Sequence, residues 1–394
     1  MKEGWEYKKL KEVGLTQTGT TPSKQIKSFY GGDIPFIRPA ELNIDQNGGI
    51  LYESELKLTE EGALKARVIK ENSVLMCCIG SVGKTGFTLR SVTCNQQINT
   101  ITPYDNYNPK FVYYALISPS FQQEVTKIAN SAKATLPIIS KGKWEVLSFP
   151  IPSLSEQQQI VERLDAAFAK IDALKSNAQK QLDEARALFQ ASLKEILEPK
   201  EGWEEKKLGE ICDFRSGFAF KSNRFTKIGE PIIRISDIQN EEIVDSNLVY
   251  FDPKSYTEDL SKYLIYPDDI LIAMSGGTTG KIGINTSNRT YYLNQRVGVF
   301  RENKKYLNHR YLFYFLHTKS EESLRIAAGA AQPNLSTAQI KSFIVPISSL
   351  SEQQSIVDTL DSLKFKVDRL QENFDKISQE CDALKQAILR EIFE

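Results

Sequence analysis

The chain contains itself twice, and no feature constrains its folding more. Gly4-Trp5-Glu6-Tyr7-Lys8-Lys9-Leu10 returns as Gly202-Trp203-Glu204-Glu205-Lys206-Lys207-Leu208, and Ile34-Pro35-Phe36-Ile37-Arg38 is echoed by Glu230-Pro231-Ile232-Ile233-Arg234. Gly83-Lys84-Thr85-Gly86 aligns with Gly280-Lys281-Ile282-Gly283, Asn95-Gln96 with Asn294-Gln295, and Phe111-Val112-Tyr113-Tyr114 with Tyr311-Leu312-Phe313-Tyr314. The longest match is Ser153-Leu154-Ser155-Glu156-Gln157-Gln158 against Ser349-Leu350-Ser351-Glu352-Gln353-Gln354. Offsets stay between 196 and 200 in a chain of 394 residues, which marks a tandem duplication.

Each half has two parts. Residues 1–152 and 201–348 mix short β-like runs, such as Ser73-Val74-Leu75-Met76 and Asp269-Ile270-Leu271-Ile272, with Gly/Pro/Asn turns and an aromatic helix. This predicts two α+β heads. Residues 153–200 and 349–394 predict long helices, free of Gly across 155–198 and 351–394. The second carries Ile356, Leu360, Leu363, Val367, Leu370, Phe374, Ile377, Cys381, Leu384 and Ile388 in alternating steps of four and three, a coiled-coil seam. The first keeps the period with Ile160, Leu164, Ala167, Ile171, Leu174, Ala178, Gln181, Ala185 and Leu188, while Phe168, Leu182, Phe189 and Leu193 widen its apolar face. Ser155 and Ser351 are the expected N-caps, each followed by an acidic residue suited to the positive helix end.

Joining Glu394 to Met1 would nearly reproduce the internal junction Leu197-Glu198-Pro199-Lys200-Glu201-Gly202-Trp203, so the sequence is close to circular. Neighbouring termini require antiparallel helices. The expected fold is therefore two heads separated by an antiparallel intramolecular coiled coil about a pseudo-two-fold axis, the one-chain counterpart of a two-fold dimer. A DNA duplex has matching local symmetry, and two dissimilar heads would read two half-sites across unread base pairs. The heads together hold five more basic than acidic residues and the helices five more acidic, the sign expected for heads on phosphate.

Net charge is zero overall, 41% of residues are apolar, and there is no run of about 18 apolar residues. With the polar opening Met1-Lys2-Glu3-Gly4-Trp5, this predicts a soluble cytoplasmic chain without membrane contact. Cys77, Cys78, Cys94, Cys212 and Cys381 form no C-x-x-C pair and read as reduced core thiols. His309 and His317 read as structural; no cluster predicts a metal, and no cofactor is expected.

Gly19-Thr20-Thr21-Pro22-Ser23-Lys24 with Tyr30-Gly31-Gly32-Asp33-Ile34-Pro35 resembles one kind of target-recognition domain of type I restriction–modification specificity subunits. Gly217-Phe218-Ala219-Phe220-Lys221-Ser222 resembles the other common kind. Gln332-Pro333-Asn334-Leu335-Ser336, and Ile347 to Gln354 running into the second helix, are similar to that family's conserved-region entry; the first head departs with Leu136-Pro137-Ile138-Ile139-Ser140. The resemblance spans essentially the whole chain. It implies a non-catalytic subunit that binds double-stranded DNA and docks two adenine-methyltransferase subunits on its helices, with restriction/translocase subunits joining through them. It also implies that the helical spacer sets the gap between half-sites.

Catalytic motifs are missing or broken. Cys78-Ile79-Gly80-Ser81-Val82-Gly83-Lys84-Thr85 lacks the first glycine of a phosphate-binding loop, and Gly280-Lys281-Ile282 lacks the following hydroxyl, so both read as turns between strands. No Pro-Pro exists to form the adenine-methyltransferase tetrapeptide, no glycine-rich dinucleotide fingerprint is present, and Pro267-Asp268 lacks the rest of a nuclease motif.

The duplication also sorts candidate contacts. Residues identical in both heads cannot distinguish two half-sites, so Arg38/Arg234, Lys84/Lys281 and Gln96/Gln295 are expected to be scaffold or phosphate ligands. Base readers must lie where the copies diverge: Lys24, Gln25, Lys27 and Tyr30 against Arg215, Lys221, Asn223 and Arg224. Gln and Asn pair with adenine and Arg or Lys with guanine. The rival expectation is a coiled-coil adaptor whose heads bind protein.

Overall fold

The computed structural model describes residues 4–42, 49–51, 53–131, 135–328 and 334–394. Two compact units emerge: residues 1–179 with 373–394, and residues 180–372. Four helices carry the argument: α1 (Pro109–Ile117), α2 (Leu154–Ile196), α3 (His309–Thr318) and α4 (Leu350–Phe393).

In the first unit a five-stranded sheet runs Gly14–Thr18, Ile98–Pro103, Ser73–Cys77, Thr85–Thr88, Ile50–Leu51, the first three contacts antiparallel and the last parallel. Ser73–Cys77 is buried along its whole length, as an uninterrupted short apolar run demands. A second sheet orders Lys57–Leu58, Tyr30–Ile37, Val92–Cys94 and Val68–Ile69. Ile37, Leu42, Leu75, Cys77, Val92 and Ile98 form one core. A larger one joins α1 and Trp144 to Val161 and Leu164 of α2 and to Leu389, Ile392 and Phe393 at the end of α4.

The second unit repeats the plan. Its six-stranded sheet runs Cys212–Ser216, Val297–Glu302, Ile270–Ala273, Ile282–Ile284, Glu242–Ile243, Ile238–Gln239. Its core joins α3 to Phe189 and Leu193 from α2, to Leu197 just past its end, and to Ile356, Val357 and Leu360 from α4. It differs in a five-stranded sheet over an aromatic cluster of Phe220, Phe251 and Tyr256, against which Phe218, Tyr263 and Tyr292 pack.

Within the first unit α2 and α4 are antiparallel, since partner numbers fall along α4 as they rise along α2. Arg163 pairs with Glu391 at 2.8 Å, Asp172 with Lys385 at 2.5 Å and Lys175 with Asp382 at 3.2 Å. Within the second, Arg186 donates to Gln371, while Phe189 and Leu193 share a core with Leu360.

The seam is shifted from the sequence expectation at four places. Leu174, Leu188 and Leu384 are 55%, 66% and 50% exposed, and Gln181 is exposed too. On α2 the covered positions are Leu164, Phe168, Ile171, Lys175, Ala178, Leu182, Ala185 and Phe189, and Lys385 replaces Leu384 on α4. The covered α2 positions keep a strict seven-residue spacing, with 168, 175, 182 and 189 in place of 167, 174, 181 and 188; a step of three or of four satisfies the same period, and the partner helix selects between them. The caps differ as well. Glu156 N–H donates to Ser153 Oγ at 3.3 Å and Glu352 N–H to Ser349 Oγ at 3.2 Å, so capping falls two residues before Ser155 and Ser351.

All five cysteines are buried free thiols; burial pushes those of Cys78, Cys94 and Cys212 up to about 12. Among the described residues there is no cluster fit to hold a metal, and no helix is long and apolar enough to cross a membrane.

Candidate nucleic-acid interface

The duplicated Gly-Lys motifs are turns between antiparallel strands. Gly83 and Gly280 have φ of 92° and 84°, which glycine adopts without strain, and their N–H groups donate to Cys77 O and Ala273 O. The carbonyls of Lys84 and Lys281 accept from Cys77 N–H and Ala273 N–H at 2.8 and 2.9 Å. Both lysines are exposed, with no ion pair among the described residues. Gln96 and Gln295 are exposed on turns in which Asn95 and Asn294 accept the amide N–H two residues on.

Gly19 and Gly217 open the divergent loops because a Cβ there would lie 2.2 Å from Asn95 O and 2.1 Å from Leu293 O. In the first unit, exposed Lys24, Gln25 and Lys27 follow on one loop, pinned where the Tyr30 hydroxyl donates to Pro22 O at 2.8 Å. In the second, Lys221 and Asn223 are exposed, Lys221 N–H donates to the Tyr256 hydroxyl at 2.9 Å, and the Arg224 guanidinium stacks 4.8 Å from the Tyr256 ring. Tyr256 thus ties that loop to the aromatic cluster, a role sequence spacing did not reveal. Arg215, on the preceding strand, pairs with Asp213 at 2.7 Å.

Arg38 and Arg234, each about a third exposed, are held in pairs with carboxylates nearby in their own unit. Arg38 bonds Glu41 at 2.6 Å and Glu55 at 2.7 Å, which raises its pKa. Arg234 meets Asp237 at 3.4 Å and donates to Asn247 O at 3.1 Å.

The Gln332-Pro333 part of the loop motif lies outside the described residues. Its neighbour Leu335 donates N–H to Met274 O at 2.8 Å, and Ile139 in the first unit does the same to Cys78 O at 2.9 Å. Ser140 and Ser336 both cap the short helix that follows. The departure in sequence leaves the backbone pairing unchanged.

The other residues missed from sequence join each long helix to its globular part. The Trp5 indole donates to Glu156 at 2.9 Å, and Trp203 to Glu352 at 3.1 Å. Gln157 and Gln353 are 1% and 0% exposed. Their Oε1 atoms accept from Asn108 N–H at 2.9 Å and Asn308 N–H at 2.8 Å. Their Nε2 atoms donate to Pro152 O at 3.0 Å and Ser348 O at 2.9 Å, and Gln353 also reaches Tyr306 O at 2.9 Å. The side chains of Asn108 and Asn308, which cap α1 and α3, donate to Gln158 and Gln354 at 2.7 Å in each case. Lower down, Asp165 accepts from Lys110 and Tyr114, and Asp361 from Arg310 and Tyr314. The signal was the repeated Ser-Glu-Gln-Gln itself, which capping alone does not explain.

A family model for the type I restriction modification DNA specificity domain matches residues 2–184 and again residues 200–377. The chain belongs to this family. Among relatives of the specificity family, the type I restriction enzyme MjaVIII specificity subunit of Methanocaldococcus jannaschii is 25% identical, over 98% of this chain and 91% of its own. The EcoKI specificity subunit of Escherichia coli K12 is 23% identical over 99% and 89%. A solved chain from a study of type I restriction–modification assembly and conformational transition shares the fold at TM-score 0.76, with 19% identity over 100% of this chain and 98% of that one. The HsdS subunit of Thermoanaerobacter tengcongensis gives 0.53, with 19% identity over 100% and 97%. As a specificity-family chain, this one keeps its joints and Gly-Lys turns alike in both halves and differs in the loops after Gly19 and Gly217.

Proposed function

We propose that this specificity-family chain reads a two-part DNA site, one part with each head (1–152 and 201–348), and performs no bond chemistry of its own. Two adenine-methyltransferase subunits dock on the helices of 153–200 and 349–394, and restriction/translocase subunits join through them. The observation that carries this reading is one scaffold used twice with dissimilar exposed loops. A duplex offers the same phosphate geometry at each half-site but a different base sequence.

The roles follow from what each side chain is free to do. Lys84 and Lys281, exposed and without ion partners among the described residues, take phosphates. Arg38 and Arg234, bound to their own carboxylates, serve the scaffold. Lys24, Gln25, Lys27 and Tyr30 read one half-site; Lys221, Asn223 and Arg224 read the other, joined by Arg215 when its half-exposed guanidinium exchanges Asp213 for a base. The Arg224 guanidinium, 4.8 Å from the Tyr256 ring centroid and donating to Ser255 O, is held at the loop surface with donors left for a bidentate contact to guanine.

The test is methylome sequencing of cells carrying the methyltransferase with and without this chain, paired with gel shifts of the purified complex across salt concentrations. A bipartite methylated motif that disappears with the chain, and affinity that falls steeply with salt, are expected. Salt-independent, sequence-blind behaviour would instead establish the protein-binding adaptor.

A further inference from the structure

We infer that Ile26 and Ile228 are specificity-determining residues for thymine, each packing against the 5-methyl group of one thymine in the major groove of its own head's half-site. The inference rests on the two-part DNA reading above and names a base contact within it.

Each isoleucine stands on a loop that the two copies do not share. In the first unit residues 23–28 are exposed between Pro22 and Phe29, both buried. Ile26, 44% exposed, closes the turn there: its N–H donates to Ser23 O and its carbonyl accepts from Phe29 N–H, each at 3.2 Å. In the second unit residues 221–230 are exposed except for Phe225, which packs against the aromatic cluster. Ile228 is 87% exposed, and among the described residues no large apolar side chain is more so. Its carbonyl accepts from Thr226 Oγ1 at 2.8 Å. Gly229 follows at φ 143°, where a Cβ would lie 2.3 Å from Phe251 O. Both side chains are held out from a backbone tied down on either side.

A lone exposed apolar residue is ordinary on a protein surface. These two differ in their company. Lys24, Gln25 and Lys27 flank Ile26, and Lys221, Asn223, Arg224 and Lys227 share the loop of Ile228. No acidic residue occurs between Glu12 and Asp33 or between Asp213 and Glu230, so each loop suits a polyanion. In the major groove of a duplex the base edges offer donors and acceptors, and one apolar group, the thymine methyl. The charged and amide side chains suit guanine and adenine; the isoleucines supply the contact those cannot make. Their places also differ. With Pro35 aligned to Pro231, Ile228 falls opposite Gly32 and Ile26 opposite Ser222, as two heads reading different sequences require.

The experiment measures gel-shift affinity of the full chain, co-purified with its methyltransferase, for duplexes bearing the motif found by methylome sequencing. Each thymine in turn is replaced by deoxyuridine, which lacks only the 5-methyl group. One replacement in each half-site should weaken binding about fourfold, the weight of one buried methyl-sized group. Ile228→Ala should weaken binding to the parent duplex by at least that factor and abolish the effect at one of the two thymines; Ile26→Ala should do the same at the other. Both side chains lie outside the cores, so folding is spared, and neither change should alter the salt slope. Three results would each overturn the inference: no sensitive thymine in the unmodified complex, sensitivity that survives both substitutions, or equal losses on thymine and deoxyuridine duplexes, as a wedge between base steps would give. Affinity indifferent to base sequence throughout would overturn the two-part reading itself.

Discussion

Phe393 lies one residue from the C-terminus, yet it completes the core of the first globular part. It is 5% exposed, with its ring centroid 5.4 Å from Phe111 and 6.5 Å from Trp5. Phe393→Ala removes a ring from a packed aromatic site, a change that costs about 3–5 kcal/mol when the site cannot collapse. A domain's whole stability is about 5–15 kcal/mol, so the loss is a large fraction of it. The assay is urea unfolding of the full chain carrying Trp203→Phe, so that fluorescence reports Trp5 and Trp144, both in the first unit. The first-unit midpoint should fall sharply. Leu197→Ala, at the repeat-equivalent and equally buried position, should leave that midpoint in place and, in a chain that keeps Trp203 as the reporter, destabilise the second unit by about 2–5 kcal/mol. A loss below about 1 kcal/mol for Phe393→Ala would refute the claim that the far end of α4 belongs to the first unit's core.

Inserting one heptad in both α2 and α4 adds about 10 Å of helix, or about three base pairs; methylome sequencing should report the same half-sites about three base pairs farther apart. Lys84→Ala and Lys281→Ala should each lower the salt slope of DNA binding by about 0.9, read from affinities at a series of salt concentrations, without changing the motif. His317 is half-buried, its ring centroid 4.6 Å from that of Phe313, and loss of solvent around the imidazole lowers its pKa below 6.5. The folded state thus favours neutral imidazole: its contribution is full above pH 6.5 and is lost as pH falls through the lower folded value. Second-unit stability should drop on acidification from pH 7.5 to 5, and His317→Phe should flatten that slope in urea titrations.

The duplication, the strands Ser73–Cys77 and Ile270–Ala273 and both long helices were legible because each rests on local pattern: identity at a fixed offset, a continuous apolar run, a repeating 4-3 step. The choice of Leu182 and Phe189 over Gln181 and Leu188 was not, since adjacent residues satisfy the same period and only the partner helix selects between them. The loops holding Lys24 to Tyr30 and Lys221 to Arg224 were found by the divergence of the copies. The ties that shape them, Tyr30 to Pro22 and Arg224 to Tyr256, were not, because they join residues brought together by folding.

By itself the amino-acid order determined that there are two like halves, that each ends in a helix of seam-bearing period, and that the Gly-Lys segment of each departs from a phosphate-binding loop. Those are properties of spacing along the chain. Only the tertiary structure decided that Gln157 and Gln353 are buried joints and not capping ornaments, and that the arginines shared by both halves spend their charge internally. Burial and hydrogen-bond partners depend on which distant residues arrive at the same place, and no local pattern encodes that.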